Sequence, residues 1–187
     1  MATLARGGAP TALSTATTTG PKAVNAARYV FAGVRIALGW VFLWAFLDKL
    51  FGLGHETTDK AAWINGGSPT NGFLGHAAAG PFKDLYNGIA GAGWADWLFM
   101  LGLLGIGAAL ILGIGLRVAA VAATAMMALM WLAEWPLAQG SSNPLVDYHV
   151  IYAIGAVTVA LTYAGHTWGL GRRWARLPLV QKNRWLI

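Results

Sequence analysis

The sequence predicts an all-α integral membrane protein, a bundle of four transmembrane helices with both termini on the cytoplasmic side. Hydrophobic residues make up 57% of its 187 positions and charged ones only 11%, too little charge for a soluble domain of this size. Ten tryptophans accompany that apolar content, as expected of indole rings held at the headgroup level of a bilayer. Apolar runs of about twenty residues, enough to cross a hydrocarbon core of ~30 Å, alternate with polar or glycine-rich segments.

The same composition removes whole classes of function. The chain has no cysteine, which rules out disulfide frameworks, thiolate nucleophiles, CxxC redox pairs, cysteine-bound iron–sulfur clusters and c-type haem attachment. The net charge is +6, but the basic residues sit beside apolar spans and form no stripe interleaved with aromatics. The bilayer is therefore the expected partner, and nucleic acid is not.

Residues 1–27 read as a low-complexity cytoplasmic tail, rich in Ala, Thr, Gly, Ser and Pro and too polar to bury a core. The transmembrane domain, 28–171, opens with a span over 29–53 that carries Arg35, Asp48 and Lys49. An outer loop, 54–93, follows, with short interfacial helices expected over 57–64 and 81–89; a loop this long is expected to have a function. The second span, 94–116, repeats small residues at Gly105, Ala109 and Gly113, a stripe for close helix contact. The third, 118–137, has Ala120, Thr124 and Ala128 in the same spacing and is joined so tightly that it must run antiparallel to the second. A turn over 139–144 leads to the fourth span, 145–167, with Ala156, Ala160 and Ala164. A basic cytoplasmic tail, 172–187, ends the chain. The glycines of Gly52-Leu53-Gly54 and Gly113-Ile114-Gly115 lack the context of a phosphate loop and read as helix-end residues.

Charge placement sets the expected orientation. Arg6, Lys22 and Arg28 precede span one, Arg117 joins spans two and three, and Arg172, Arg173, Arg176, Lys182 and Arg184 follow span four, which puts these ends inside. Asp48, Glu56, Asp59, Asp84, Asp96, Glu134 and Asp147 then all fall at the opposite face.

Ionisable groups within spans are costly and mark candidate sites. Arg35 lies seven residues past Arg28, about 10 Å deeper along the helix, and should face the bundle. Hydroxyls of Thr158, Thr162 and Tyr163, with nearby backbone carbonyls, are its expected partners; binding a ligand and clipping helices together both remain open as its role. Lys49 returns to nearly the same helix face as Arg35. Glu134 ends span three while Asp147 and His149 open span four, so ionisable groups from three helices converge at the height of Asp48 and Lys49. Beneath a loop roof and flanked by Trp44, Trp131, Trp135, Tyr148 and Tyr152, they would hold a polar quinone head or a small anion, or serve only as an interfacial ion-pair network. The histidines His55, His76, His149 and His166 show no metal-ligand spacing; His149 and His166 are ~25 Å apart on one helix, too far for a haem pair. A zinc site from His55, His76 and His149 is conceivable, but no motif supports it. No haem, flavin or metal site is recognised.

Several stretches resemble the DoxX family, and more closely the DoxD-like small membrane subunits associated with thiosulfate:quinone oxidoreductase. They are Arg35-Ile36-Ala37-Leu38-Gly39-Trp40 followed by Asp48-Lys49-Leu50, the loop phrase from Trp63 to Leu74, and Asn143-Pro144-Leu145-Val146-Asp147-Tyr148-His149. The resemblance implies a four-helix protein of the prokaryotic cytoplasmic membrane, part of a redox or respiratory assembly, with Arg35, Lys49 and His149 as functional positions.

These readings combine into a membrane component of a quinone-linked oxidoreductase, whose ligand is a quinone or a small sulfur oxyanion. Arg35, Lys49, Asp48, Trp135 and Tyr152 are the expected ligand-binding residues, with Lys49 on the anionic oxygen. His149, helped by Asp147 or Glu134, would pass protons, and electrons would come from a donor outside the chain. The alternative is a non-catalytic accessory subunit of a larger respiratory or redox complex. A small transporter ranks last, because interrupted helices and internal repeats are missing.

Overall fold

The computed structural model describes residues 21–137 and 143–187, and among them it contains helices and turns but no strand. The first helix, α1 (Pro21–Phe51), is followed at the same end of the molecule by 3-10 turns at Asp59–Ala61 and Trp63–Asn65, then by α2 (Pro69–His76) and α3 (Lys83–Ile89). Two long helices, α4 (Gly93–Leu112) and α5 (Leu116–Glu134), are followed by a shorter one, α6 (Tyr148–Leu161). The chain closes with α7 (Gly171–Trp174), α8 (Pro178–Lys182) and a last 3-10 turn at Arg184–Leu186.

The helices α1, α4 and α5 are long and apolar enough to cross a membrane, and α6 is the shorter apolar fourth. They form a helical membrane bundle in which α1 packs most closely on α4 and α5 on α6, with α4–α5 and α1–α6 contacts closing the ring. Its core is Leu38, Phe42, Met100, Leu103, Ile106, Leu110, Met127 and Val159. Leu98, Leu101, Val121, Ile151 and Leu161 point outward, as they should where lipid rather than water surrounds the bundle.

Element boundaries depart from the expected spans for local reasons. α1 starts at Pro21, eight residues before 29, because a proline at a helix start loses no hydrogen bond. The 1–27 tail otherwise lies outside the described residues, as does most of the 139–144 turn. α4 stops at Leu112 because Gly113 takes a left-handed φ of 71°, and Gly52, Gly54 and Gly115 are left-handed too, so both glycine strings do mark helix ends. α5 stops at Glu134 with Trp135 left-handed, short of the expected 137.

The largest difference is at α6, expected over 145–167. Asp147 caps it by accepting from the backbone N–H groups of His149 and Val150, so helix begins only at Tyr148. After Leu161 the chain turns out of helix through Tyr163 at φ 51°. Its 14 residues span about 21 Å, less than a hydrocarbon core of ~30 Å.

The expected small-residue stripe on the second span holds at Gly113, where a Cβ would lie 2.8 Å from Gly165 Cα, and fails at Gly105. Open space surrounds Gly105, whereas a Cβ at Gly107 would sit 2.7 Å from the backbone nitrogen of Leu43, and one at Gly39 2.9 Å from that of Ile111. Gly39 and Gly107 are therefore the close-approach residues of the α1–α4 pair. On α6 the expected Ala156 and Ala160, with Ala164 just beyond its end, are all buried.

The loop helices lie elsewhere than expected in part. α3 falls within the expected 81–89 segment, but the phrase following Trp63 winds into α2, capped by Ser68 Oγ on the Asn71 N–H. Tyr86 fastens α3 to α5 by donating to the Leu129 carbonyl at 2.9 Å. The basic 172–187 segment folds back: the Arg117 backbone N–H donates to the Ile187 carbonyl, and Trp174 Nε1 donates to Leu186.

Candidate functional site

At the acidic end of the bundle a cavity of about 510 Å³ is enclosed by all four long helices and roofed by the loop. Its walls are Phe42 and Ala45 of α1, Phe99 and Leu103 of α4, Met127 and Met130 of α5, with Pro69 and Phe73 of α2 above. Polar groups enter at a few points: Lys49, Glu56, Glu134, Tyr148 and Tyr152. A mostly apolar chamber with a few convergent polar groups has the composition and size of a small-molecule site.

Lys49 arrives here because α1 runs on to its last turn. Its ammonium is 3.1 Å from Glu56 Oε2; the lysine side chain is 14% exposed and the glutamate 80%, so the pair stands where the chamber meets the loop surface. Glu134, at the last residue of α5, accepts a hydrogen bond from the Tyr148 hydroxyl at 3.2 Å. Behind Tyr148, its ring centroid 4.0 Å away, lies His149, which is buried. Asp147 fixes that imidazole: Oδ2 is 2.8 Å from Nδ1, and Oδ1 accepts the His149 backbone N–H at 3.0 Å. His149 Nε2 is buried without a hydrogen-bond partner among the described residues.

Ligand atoms of Glu134, Asp147 and His149 come within 4.8 Å of one another, close enough for a cation to bridge. All three are already engaged within the chain, by Tyr148 and by each other. The conceived zinc trio is not assembled: His55 packs edge-on against Trp44 and His76 bonds the Gly72 carbonyl on α2.

Several predicted residues do other work. Asp48 is 2% exposed and turned into the loop, where it accepts backbone N–H bonds from His55, Glu56 and Thr57. It pins the roof's first turn and does not line the chamber. Trp135 lies under the loop instead of on the cavity wall: its ring meets Phe82 and fills the space over Gly80, where a Cβ would be 2.2 Å from Trp135 Cγ.

Arg35 is fully buried about 20 Å down the helix from Asp48. Its Nη1 donates to the Leu110 and Ile111 carbonyls, and its Nη2 to those of Thr167 and Trp168, the latter at 2.8 Å. The hydroxyls expected to serve it are used elsewhere: Thr158 and Thr162 bond carbonyls one turn back, and Tyr163 receives Arg117 Nη2. The backbone half of that expectation holds.

Three features were not visible in the sequence. Glu56 has no periodic relation to Lys49, since the helix ends between them. Tyr148 appeared as a flanking aromatic without its bond to Glu134. Asp96, 6% exposed, accepts from Ser68 Oγ, the Thr70 N–H and Thr70 Oγ1 at 2.9, 3.0 and 2.6 Å and so holds the roof from α4. The density of polar residues in Ser68-Pro69-Thr70-Asn71 was the signal that something anchors that phrase.

The family model described as DoxX matches residues 30–135, which includes most of α1, the roof, α4 and α5. No curated protein and no solved structure matches the chain.

Proposed function

Since the chain belongs to the DoxX family and is an integral membrane protein, we propose that it is a quinone-binding component of a membrane oxidoreductase of the prokaryotic plasma membrane. The chamber carries this reading. Its apolar walls of Phe42, Phe99, Leu103, Met127 and Met130 suit a flat ring system, and its polar groups stand at one end, where ring oxygens would need them.

Lys49 supplies a positive charge for an oxygen that gains electron density, and Glu56 holds it ready. Tyr148 and Glu134 are the hydrogen-bonded pair at the wall; the Tyr148 hydroxyl donates its one proton to Glu134 and would turn from that carboxylate to serve a ring oxygen. Behind it, His149 and Asp147 form a hydrogen-bonded dyad that would resupply protons. Quinone reduction takes up two electrons and two protons; the protons would pass through these residues, and the electrons from a partner subunit oxidising a donor such as a small sulfur oxyanion.

The test is a titration of the purified full chain in mild detergent with 2-methyl-1,4-naphthoquinone, followed by tryptophan fluorescence. Wild-type protein should bind, and Lys49→Ala and Tyr148→Phe should each weaken binding by about tenfold, the loss of one charge-assisted or neutral hydrogen bond. Binding that is absent, or indifferent to both substitutions, would reject the chamber as a quinone site and leave an accessory subunit held by its partners.

A further inference from the structure

The chamber lining reaches the protein surface at places of opposite character. At the loop surface stand Lys49 and Glu56, both charged. The lining also includes Val41 of α1 and Tyr148 of α6, both exposed at the surface of the bundle.

Helix geometry locates that second place. On α1, Gly39 and Leu43 face α4, while Leu38 faces α6, against Gly155, where a Cβ would be 2.8 Å from Leu38 Cδ1. Val41 lies three residues past Leu38, about 60° further round the helix and away from α4. Ala45 follows one turn on. Across from them, Tyr148 and Tyr152 stand on the same face of α6 as Gly155, two turns and one turn from it. Above the Leu38–Gly155 contact, then, the two helices present Val41, Ala45, Tyr148 and Tyr152 to the chamber. Val41 is 37% exposed and Tyr148 48% exposed, so each lies on the chamber wall and on the outer surface at once. The opposite side is sealed by Phe42, Leu103 and Met127 at 2%, 3% and 5% exposure.

We infer that a lateral window for the apolar chain of an amphiphilic ligand lies between these residues, and that the chamber takes long-tailed quinones from the bilayer in preference to water-soluble, tail-less ones. The inference rests on the quinone reading and names its substrate class. At about 510 Å³ the chamber accommodates a ring but not a long isoprenoid chain as well, so the chain must leave through an opening. The charged mouth at Lys49 and Glu56 would expose it to water; the window at Val41 delivers it to lipid. The polarity of the two openings thus orients the ligand, head toward Lys49 and tail past Val41.

The experiment compares 2-methyl-1,4-naphthoquinone with the same ring bearing an isoprenoid chain of several units, each titrated against full-length protein in nanodiscs. Wild type should bind both. Val41→Trp, and the milder Ala45→Leu should the first fold poorly, should weaken the tailed quinone by about tenfold more than the tail-less one, because both rings meet the same wall and only the tail occupies the gap. Equal loss of both ligands, or loss of neither, would overturn the window while the quinone site stands. Failure of wild type to bind either ring would remove the quinone reading, and the window with it.

Discussion

Arg35 holds a full charge in the interior of the bundle with every bond it makes ending on a backbone carbonyl. Two of those carbonyls, Leu110 and Ile111, belong to the last turn of α4, where orphan acceptors and the negative end of the helix dipole both favour a cation. Glycines make room for it: a Cβ at Gly113 would lie 2.8 Å from Nη1, and one at Gly169 3.2 Å from Nη2. The fork geometry of guanidinium is needed to reach acceptors on two separate segments, so Arg35→Lys should be destabilised by about 1–3 kcal/mol and Arg35→Leu by more, since it leaves those carbonyls unpaired. Thermal unfolding in detergent measures this; an unchanged midpoint in both variants would show that the clamp is dispensable. The depth of Arg35 was legible from its spacing to Arg28. Its partners were not, because half of them lie in a helix break that hydrophobic periodicity does not announce. Asp48 teaches the same lesson at the other end: its height was correct, but the direction of its side chain depends on three loop N–H groups.

Among the elements, the α1–α4 pair depends on glycines with no space for a side chain. Gly107→Val would drive a methyl group into the Leu43 backbone and should cost about 1–3 kcal/mol of overpacking, while Gly105→Ala, in open space, should be neutral or slightly stabilising. Equal effects of the two substitutions would contradict this packing. Small residues every four positions signalled close contact; choosing between Gly105 and Gly107 needed the helix rotation, which a span apolar on every side does not encode. The roof is a second such case. α3 is tied down by Tyr86, whose hydroxyl is pushed above its ordinary ionisation range by burial. The unfolded chain therefore releases that proton at a lower pH than the folded protein does, so the contribution is fully present below about pH 10 and is lost as pH rises beyond it. Tyr86→Phe should lower stability by about 1 kcal/mol near neutrality and show a weaker alkaline decline than wild type. Parallel alkaline curves for the two proteins would assign the decline to other groups.

Taken whole, the molecule separates a basic end, closed by Arg35 and by the folded 172–187 segment, from an acidic end that contains the chamber. The all-helical membrane architecture was legible in composition and in the lengths of the apolar runs, and so was the meeting of Lys49, Glu134, Asp147 and His149 at one height. What the sequence left open was how that meeting is divided: Lys49 and Glu134 line a cavity, His149 and Asp147 stand behind it, and Asp48 is withdrawn into the roof. The division comes from α6 starting at its Asp147 cap and from the loop folding across the bundle, both tertiary outcomes. The central claim is that this chamber holds a quinone in the membrane. It is tested most directly by extracting the full chain from native membranes in mild detergent and measuring its bound quinone. The account predicts quinone retained by wild type and by Arg35→Lys that folds, and depleted in Lys49→Ala and Tyr148→Phe; equal quinone content in all four, or none in wild type, would contradict it.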